Sequence, residues 1–168
     1  GYLLVETNLI EKLRDIKVIG WTTVIFGILL YISDKFKLDK NIENNFNLKS
    51  ALFIGLFQIL SLVPGVSRAG IAITAGRFLS FNRFDASKIS FLLSIPTLGA
   101  VSIYGLSNII SSESFEISRL SLFAILFSFI FSFLTINYFL KYIKKFSMNI
   151  FVIYRLLIGL ILLYFAYL

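Results

Sequence analysis

The sequence predicts an all-α integral membrane protein, a multi-span helical bundle with a re-entrant helical hairpin. Three observations lead there. Of 168 residues, 58% are hydrophobic and 15% charged, with mean hydropathy +0.88; a soluble domain is roughly 45–50% apolar and about 25% charged. Apolar residues gather into four runs near the length of a span, at about 18–33, 89–110, 120–140 and 150–168. A fifth run, 51–81, is broken at Pro64-Gly65 and carries Arg68 and Arg77.

The first run, 18–33, is slightly short for about 30 Å of hydrocarbon, and a helix extended into its flanks reaches across. Trp21 near one end suits an interfacial anchor. A polar loop at 34–49 follows. In 51–81 each arm is too short to cross a bilayer, and Pro64 with Gly65 forbids a continuous helix. Two short arms and a polar tip describe a hairpin, tolerated where it is buried in protein or lines a wet cavity. Of the next three spans, the first is expected to kink at Pro96 and Gly99. Loops at 111–119 and 141–149 connect them. If 51–81 returns to its own side, loops 34–49, 82–88 and 141–149 share a face with nine Lys and Arg, against four on the face holding 1–17 and 111–119. If it crosses, the split is eight to five. The positive-inside rule favours the hairpin and makes the nine-charge face cytoplasmic.

There is no Cys, so disulfides and thiolate chemistry are excluded, and no His, so the commonest general base and transition-metal ligand are absent from these residues. The net charge of +7 sits at the ends of apolar runs. That points to loops beside anionic lipid and not to nucleic acid. An AT-rich composition is enough to explain the many Phe, Ile, Lys and Asn, so the aromatics carry no functional weight. The chain begins with Gly, and residues 1–17 are mixed polar without a signal-peptide pattern. The expectation is one membrane domain that is a fragment of a longer chain.

Arg68 is the first candidate site residue. Its guanidinium stays protonated, and leaving it at membrane depth costs between about 2.5 and 17 kcal/mol. A phosphate is the partner its fork fits best. The alternative is an Arg that snorkels or bonds backbone carbonyls. Ser67, Gly65, Val66, Ala69 and Gly70 surround it, and their hydroxyl, free N–H groups and a helix restarting near Ala69 compose an anion site. Gln58 and Ser61 share one helical face of the entering arm, and Thr74 lies on the leaving arm; each serves either the site or helix–helix hydrogen bonding. Arg77 is expected to snorkel toward Arg83 and Lys88. Asp85 is expected to cap the helix that follows. Arg155 either snorkels or pairs with a carboxylate or lipid phosphate within the bundle. Lys141, Lys144 and Lys145 read as a positive-inside signal.

Gly55-Leu56-Phe57-Gln58 leading into Pro64-Gly65-Val66-Ser67-Arg68-Ala69-Gly70 resembles the second signature of the bacterial undecaprenyl-diphosphatases of the bacitracin-resistance type, in which Ser usually stands where this chain has Ala69. Phe84-Asp85-Ala86 running into Ser90-Phe91-Leu92-Leu93-Ser94-Ile95-Pro96 is similar to that family's next helix, and Ile153-Tyr154-Arg155-Leu156-Leu157-Ile158-Gly159 to its last. The resemblance covers most of residues 18–168. It implies the C-terminal part only, the second of two inverted repeats that each carry a hairpin.

The implied activity is hydrolysis of undecaprenyl diphosphate to the monophosphate, which recycles the carrier lipid for peptidoglycan synthesis in the bacterial inner membrane. It brings a polyprenyl diphosphate lipid as substrate and leaves room for a homo-oligomer. Arg68 and Ser67 are the expected catalytic residues, with Gly65, Val66, Ala69, Gly70, Gln58 and Thr74 around the substrate. For Ser67 a donor role is preferred to a nucleophilic one, because no base is near in sequence. A divalent cation, Mg²⁺ or Ca²⁺, is expected on two glutamates of the family's first signature, which also has a Ser-rich turn and a His; nothing in 1–168 matches it. The alternative reading is a transporter or flippase for a lipid phosphate or other anion, whose broken helices also aim dipole ends at mid-membrane anions.

Overall fold

The computed structural model describes residues 15–36, 40–110 and 119–168. Most of the expected 1–17 and 111–119 loops lies outside those residues. The described chain is helical: α1 (Ile16–Lys35), a single turn α2 (Ile42–Asn45), α3 (Leu48–Ile59) running into a 3-10 turn at Leu60–Leu62, α4 (Arg68–Phe78), α5 (Arg83–Ile110), α6 (Arg119–Lys145) and α7 (Asn149–Tyr167). The helices α1, α5, α6 and α7 are long and apolar enough to cross a membrane, and the protein is multi-pass.

The helices outrun the apolar runs because their charged flanks also form helix and because caps, not hydropathy, set their ends. Asp15 caps α1 by accepting the Lys17 N–H at 2.9 Å. Asn82, not Asp85, caps α5, its Oδ1 accepting the Asp85 N–H at 2.8 Å. The expected capping role of Asp85 is therefore corrected. Its carboxylate accepts the Ile42 N–H at 3.0 Å and ties α2 to α5. The 34–49 loop thus contains a helical turn, and the 141–149 loop shrinks because α6 continues to Lys145. Pro96 sits inside α5 without ending it.

Segment 51–81 is broken as its sequence demands. Val63 to Val66 close a turn, the Val66 N–H donating to the Val63 carbonyl at 3.2 Å with Gly65 at φ +89°. Pro followed by Gly at positive φ marks a type II turn. Ser67 then starts α4 by accepting the Gly70 N–H at 3.1 Å. The far end of α4 closes with Ser80 at φ 78°, the Phe81 N–H on the Gly76 carbonyl at 3.1 Å and the Ser80 N–H on Arg77 at 2.9 Å, a Schellman motif. Lys40 donates to Ser80 at 3.0 Å and Asn82 to Lys40 at 3.1 Å, so the segment leaves and returns at one level.

That level is a polar knot at the C-terminal end of α1. Asp34, 7% exposed, takes a fork from Arg83 at 2.6 and 3.0 Å and the Met148 N–H at 3.3 Å. Arg77, 5% exposed, lies 3.8 Å from the same carboxylate and donates to the carbonyls of Phe81 (2.8 Å), Asp34 (3.3 Å) and Phe36. The expectation that Arg77 snorkels is overturned: three backbone carbonyls and the Asp34 carboxylate meet its guanidinium inside the protein. Lys144 lies over the Phe84 ring at 4.2 Å, which puts the end of α6 at the same face as the hairpin base.

From this base α4 rises through the middle of the bundle with every residue from Gly70 to Arg77 buried. It packs against α1, α3 and α5. Antiparallel α1 and α7 form the closest pair, because Gly20 and Gly159 let the backbones approach: a Cβ on Gly20 would sit 2.8 Å from Leu163, and one on Gly159 would sit 2.6 Å from Val24. The core gathers around Ile54, Ile73, Phe81, Ile143 and Met148.

Candidate anion site at the hairpin tip

The tip packs against the upper part of α1. Thr22 Oγ1 donates to the Pro64 carbonyl at 2.7 Å. Thr23 lies three turns from Asp34, about 17 Å at a rise of about 1.5 Å per residue. The tip therefore stands off the hairpin base by roughly half the thickness of a hydrocarbon layer of about 30 Å. A side chain at Gly65 has no room: its Cβ would stand 2.1 Å from Thr22 Oγ1 and 2.7 Å from the Ile19 carbonyl, and φ +89° is strained for any L residue. Gly65→Ala is expected to destabilise the protein by at least about 1–3 kcal/mol, read as a lowered unfolding midpoint in detergent; an unchanged midpoint would show that the tip does not sit against α1.

Arg155 reaches the tip from α7. It is 9% exposed. A Cβ on Gly27 would lie 3.4 Å from the Arg155 Cβ, whereas the guanidinium extends to Gly65, whose carbonyl it meets at 2.8 Å, and to Gly70. Gly65 is beside Thr22 and Thr23, about one turn further from the base than Gly27. The side chain thus points deeper into the bundle, opposite to snorkelling.

Beneath the tip is a cavity of about 420 Å³. One end is polar, with Ser67, Gly70 and Arg155; a Cβ on Gly70 would lie 2.7 Å from Arg155 Nη1 and 3.2 Å from Ser67 Oγ, so the guanidinium and the hydroxyl converge there. The other walls are apolar, including Leu30, Ile73, Phe139, Phe151 and Ile158. The start of α4 opens onto this space with the positive end of its dipole. Ser67 accepts from Gly70, and its own hydroxyl proton remains available to donate.

The structure gathers five of the sequence-derived residues, Gly65, Val66, Ser67, Ala69 and Gly70, at the cavity. Three lie outside its lining. Gln58 donates to Thr97 on α5 at 3.2 Å, which is helix–helix bonding. Thr74, 1% exposed, returns its hydroxyl to the Gly70 carbonyl at 2.8 Å. Arg68 is exposed at the first position of α4 and has no hydrogen-bond or ion-pair partner among the described residues. The expectation that Arg68 is the buried cation is corrected: Arg68 is exposed, and the buried cation that reaches the tip is Arg155. A helix start at Ser67 turns position 68 outward, while the spacing of Gly159 and Arg155 on α7 turns 155 toward α1 and the tip. Sequence reasoning passed over Thr22 and Asp34; the signal for Thr22 was its place beside the small residues Gly20 and Gly27, on a helix face suited to close backbone approach.

Residues 1–161 match the family described as bacitracin resistance protein BacA. The chain is 55% identical to an undecaprenyl-diphosphatase of Pelagibacter ubique over 96% of its own length and 63% of that protein's. It is 36% identical to a protein of the same name from Jannaschia sp. over 99% and 62% of the two chains, and 41% identical to one from Alteromonas mediterranea over 94% and 59%. It spans about three fifths of the length of these relatives. With a match over nearly its whole length, and with that match covering the broken hairpin and the last helix that together build the tip site, the chain belongs to the BacA family of bacitracin resistance proteins.

Proposed function

We propose that the chain is the diphosphate-gripping part of an undecaprenyl-diphosphatase of the bacterial inner membrane, which hydrolyses undecaprenyl diphosphate to undecaprenyl phosphate and inorganic phosphate. Carrier lipid is thereby returned to peptidoglycan synthesis. The observation that carries the reading is the Ser67-capped start of α4, which opens at mid-depth into an apolar cavity whose one charged wall group is Arg155. A diphosphate on a prenyl chain has that same division, a doubly anionic head and an apolar tail.

In this reading the head group lies against the first-turn N–H groups of α4 and the Ser67 hydroxyl, with Arg68 clamping non-bridging oxygens from the rim and Arg155 adding positive charge from the wall. The first isoprenyl units follow the apolar walls. Water adds to the terminal phosphorus as the bridging P–O bond breaks, and the cationic groups stabilise charge on both phosphates. Ser67 acts as a donor, because the cavity wall holds no base to activate it. That wall also holds no carboxylate, and no group of three His, Cys, Asp or Glu occurs among the described residues. These residues fit an anion and do not fit Mg²⁺ or Ca²⁺, which need oxygen ligands of opposite charge. We assign any divalent cation to residues outside this site.

A mid-membrane helix break with an anion-seeking end also suits a transporter. The two readings separate in liposomes that contain a chain of the relatives' length. Phosphate release from polyprenyl diphosphate is expected. Movement of lipid phosphate between leaflets without release would replace the hydrolase with a flippase.

A further inference from the structure

The tip turn has a central peptide, Pro64–Gly65, whose orientation distinguishes type II from type I: φ of the third residue is about +80° in one and about −90° in the other. Gly is the residue for which both are open, so the turn itself does not decide between them. Here the peptide is held from outside. Thr22 Oγ1 meets the Pro64 carbonyl at 2.7 Å, nearer than its two alternatives on its own helix, Val18 at 2.9 Å and Ile19 at 3.1 Å. A hydroxyl has one proton, and the inter-segment bond is the shortest of the three. Thr23 behaves differently. Its hydroxyl lies 2.7 Å from the Ile19 carbonyl and 3.4 Å from Gly65, so Gly65 is held instead by Arg155 at 2.8 Å. With the Pro64 carbonyl fixed toward α1, the Gly65 N–H across the same peptide plane points away from α1.

We propose that Thr22 is a positioning residue that locks the Pro64–Gly65 peptide in its type II orientation. The lock keeps an N–H, and not a carbonyl, on the side of the tip turned away from α1, toward an approaching phosphate. A flipped peptide would put a carbonyl dipole against the anion. This rests on the diphosphatase reading for its effect on turnover, but the lock is a property of the tip alone.

Pro64-Gly65 is the one Pro-Gly pair in the 168 residues. Labelling Pro with ¹³C at the carbonyl and Gly with ¹⁵N in a chain of the relatives' length therefore marks a single peptide of this segment for NMR. Thr22→Val keeps shape and removes the donor; Thr22→Ser keeps the donor. Expected for Thr22→Val is a displaced or doubled Pro64–Gly65 signal, with kcat for a polyprenyl diphosphate down about five- to tenfold, the effect of one lost hydrogen bond, and KM within about twofold. Thr22→Ser is expected to restore both. An unmoved signal in Thr22→Val overturns the lock whatever the enzyme does. A moved signal with unchanged kcat overturns the positioning role. A moved signal in a protein that releases no phosphate even as wild type overturns the diphosphatase reading and leaves the lock standing.

Discussion

Replacing Arg68 with Ala in a chain of the relatives' length is expected to lower kcat for polyprenyl diphosphate by about 10²–10³-fold, the loss seen when one preorganised donor to a developing anion is removed. Arg68 has no hydrogen-bond or ion-pair partner among the described residues. It occupies the first position of α4, where a cation faces the positive end of the helix dipole. It is exposed at the hairpin tip, and at membrane depth an uncompensated guanidinium is costly. In the proposed site it is compensated by an anion that meets the same helix end. Because it is exposed and makes no hydrogen bond or ion pair among the described residues, its loss should stay within the small range of a surface substitution, about 0.5 kcal/mol. Lys at this position keeps the charge and loses the planar fork, so it should recover part of the rate. Wild-type kcat for the Ala variant would remove Arg68 from the chemistry and leave the grip to Ser67, the α4 N–H groups and Arg155.

The hairpin was legible because its determinants are local. Pro64-Gly65 can only turn, Ser67 can only help a helix begin, and the apolar runs are as long as spans need to be. These features give the tip, its amides and five of the residues that line the cavity. The partners of the polar side chains were not legible, because they depend on which helices meet. Arg68 and Arg155 look equivalent as isolated cations in apolar runs. The difference is tertiary: α7 crosses α1 closely at Gly20, Gly27 and Gly159, which turns Arg155 inward, while the cap at Ser67 turns Arg68 outward. Thr22 reads as a small residue of a membrane helix until the turn 42 residues later is laid against it. Asp34 reads as the charged flank of a span. In the fold it is the acceptor on which three other elements converge.

That convergence makes Asp34→Ala the substitution expected to harm stability most. The carboxylate is 7% exposed and satisfies Arg83, the Met148 N–H at the start of α7 and the charge of Arg77. Removing it takes from the Arg77 guanidinium, 5% exposed, a carboxylate 3.8 Å away, and breaking a buried pair from one side costs about 3–5 kcal/mol. Arg83→Ala tests the opposite limb of the same knot. The Arg83 side chain is 36% exposed, so its loss should cost no more than the about 0–1 kcal/mol of a surface pair. The asymmetry is the diagnostic: the same carboxylate has one partner that water can replace and one that water cannot reach. Denaturant midpoints in detergent for the two variants would measure it, and equal costs would mean that the Asp34 carboxylate adds little to what the backbone carbonyls already give Arg77. The consequence extends to the tip. The knot holds the base of α4 against α1 and α7, the two helices that supply Thr22 and Arg155, so a protein that survives Asp34→Ala should show faster hydrogen exchange at residues 63–70 as well as at the base.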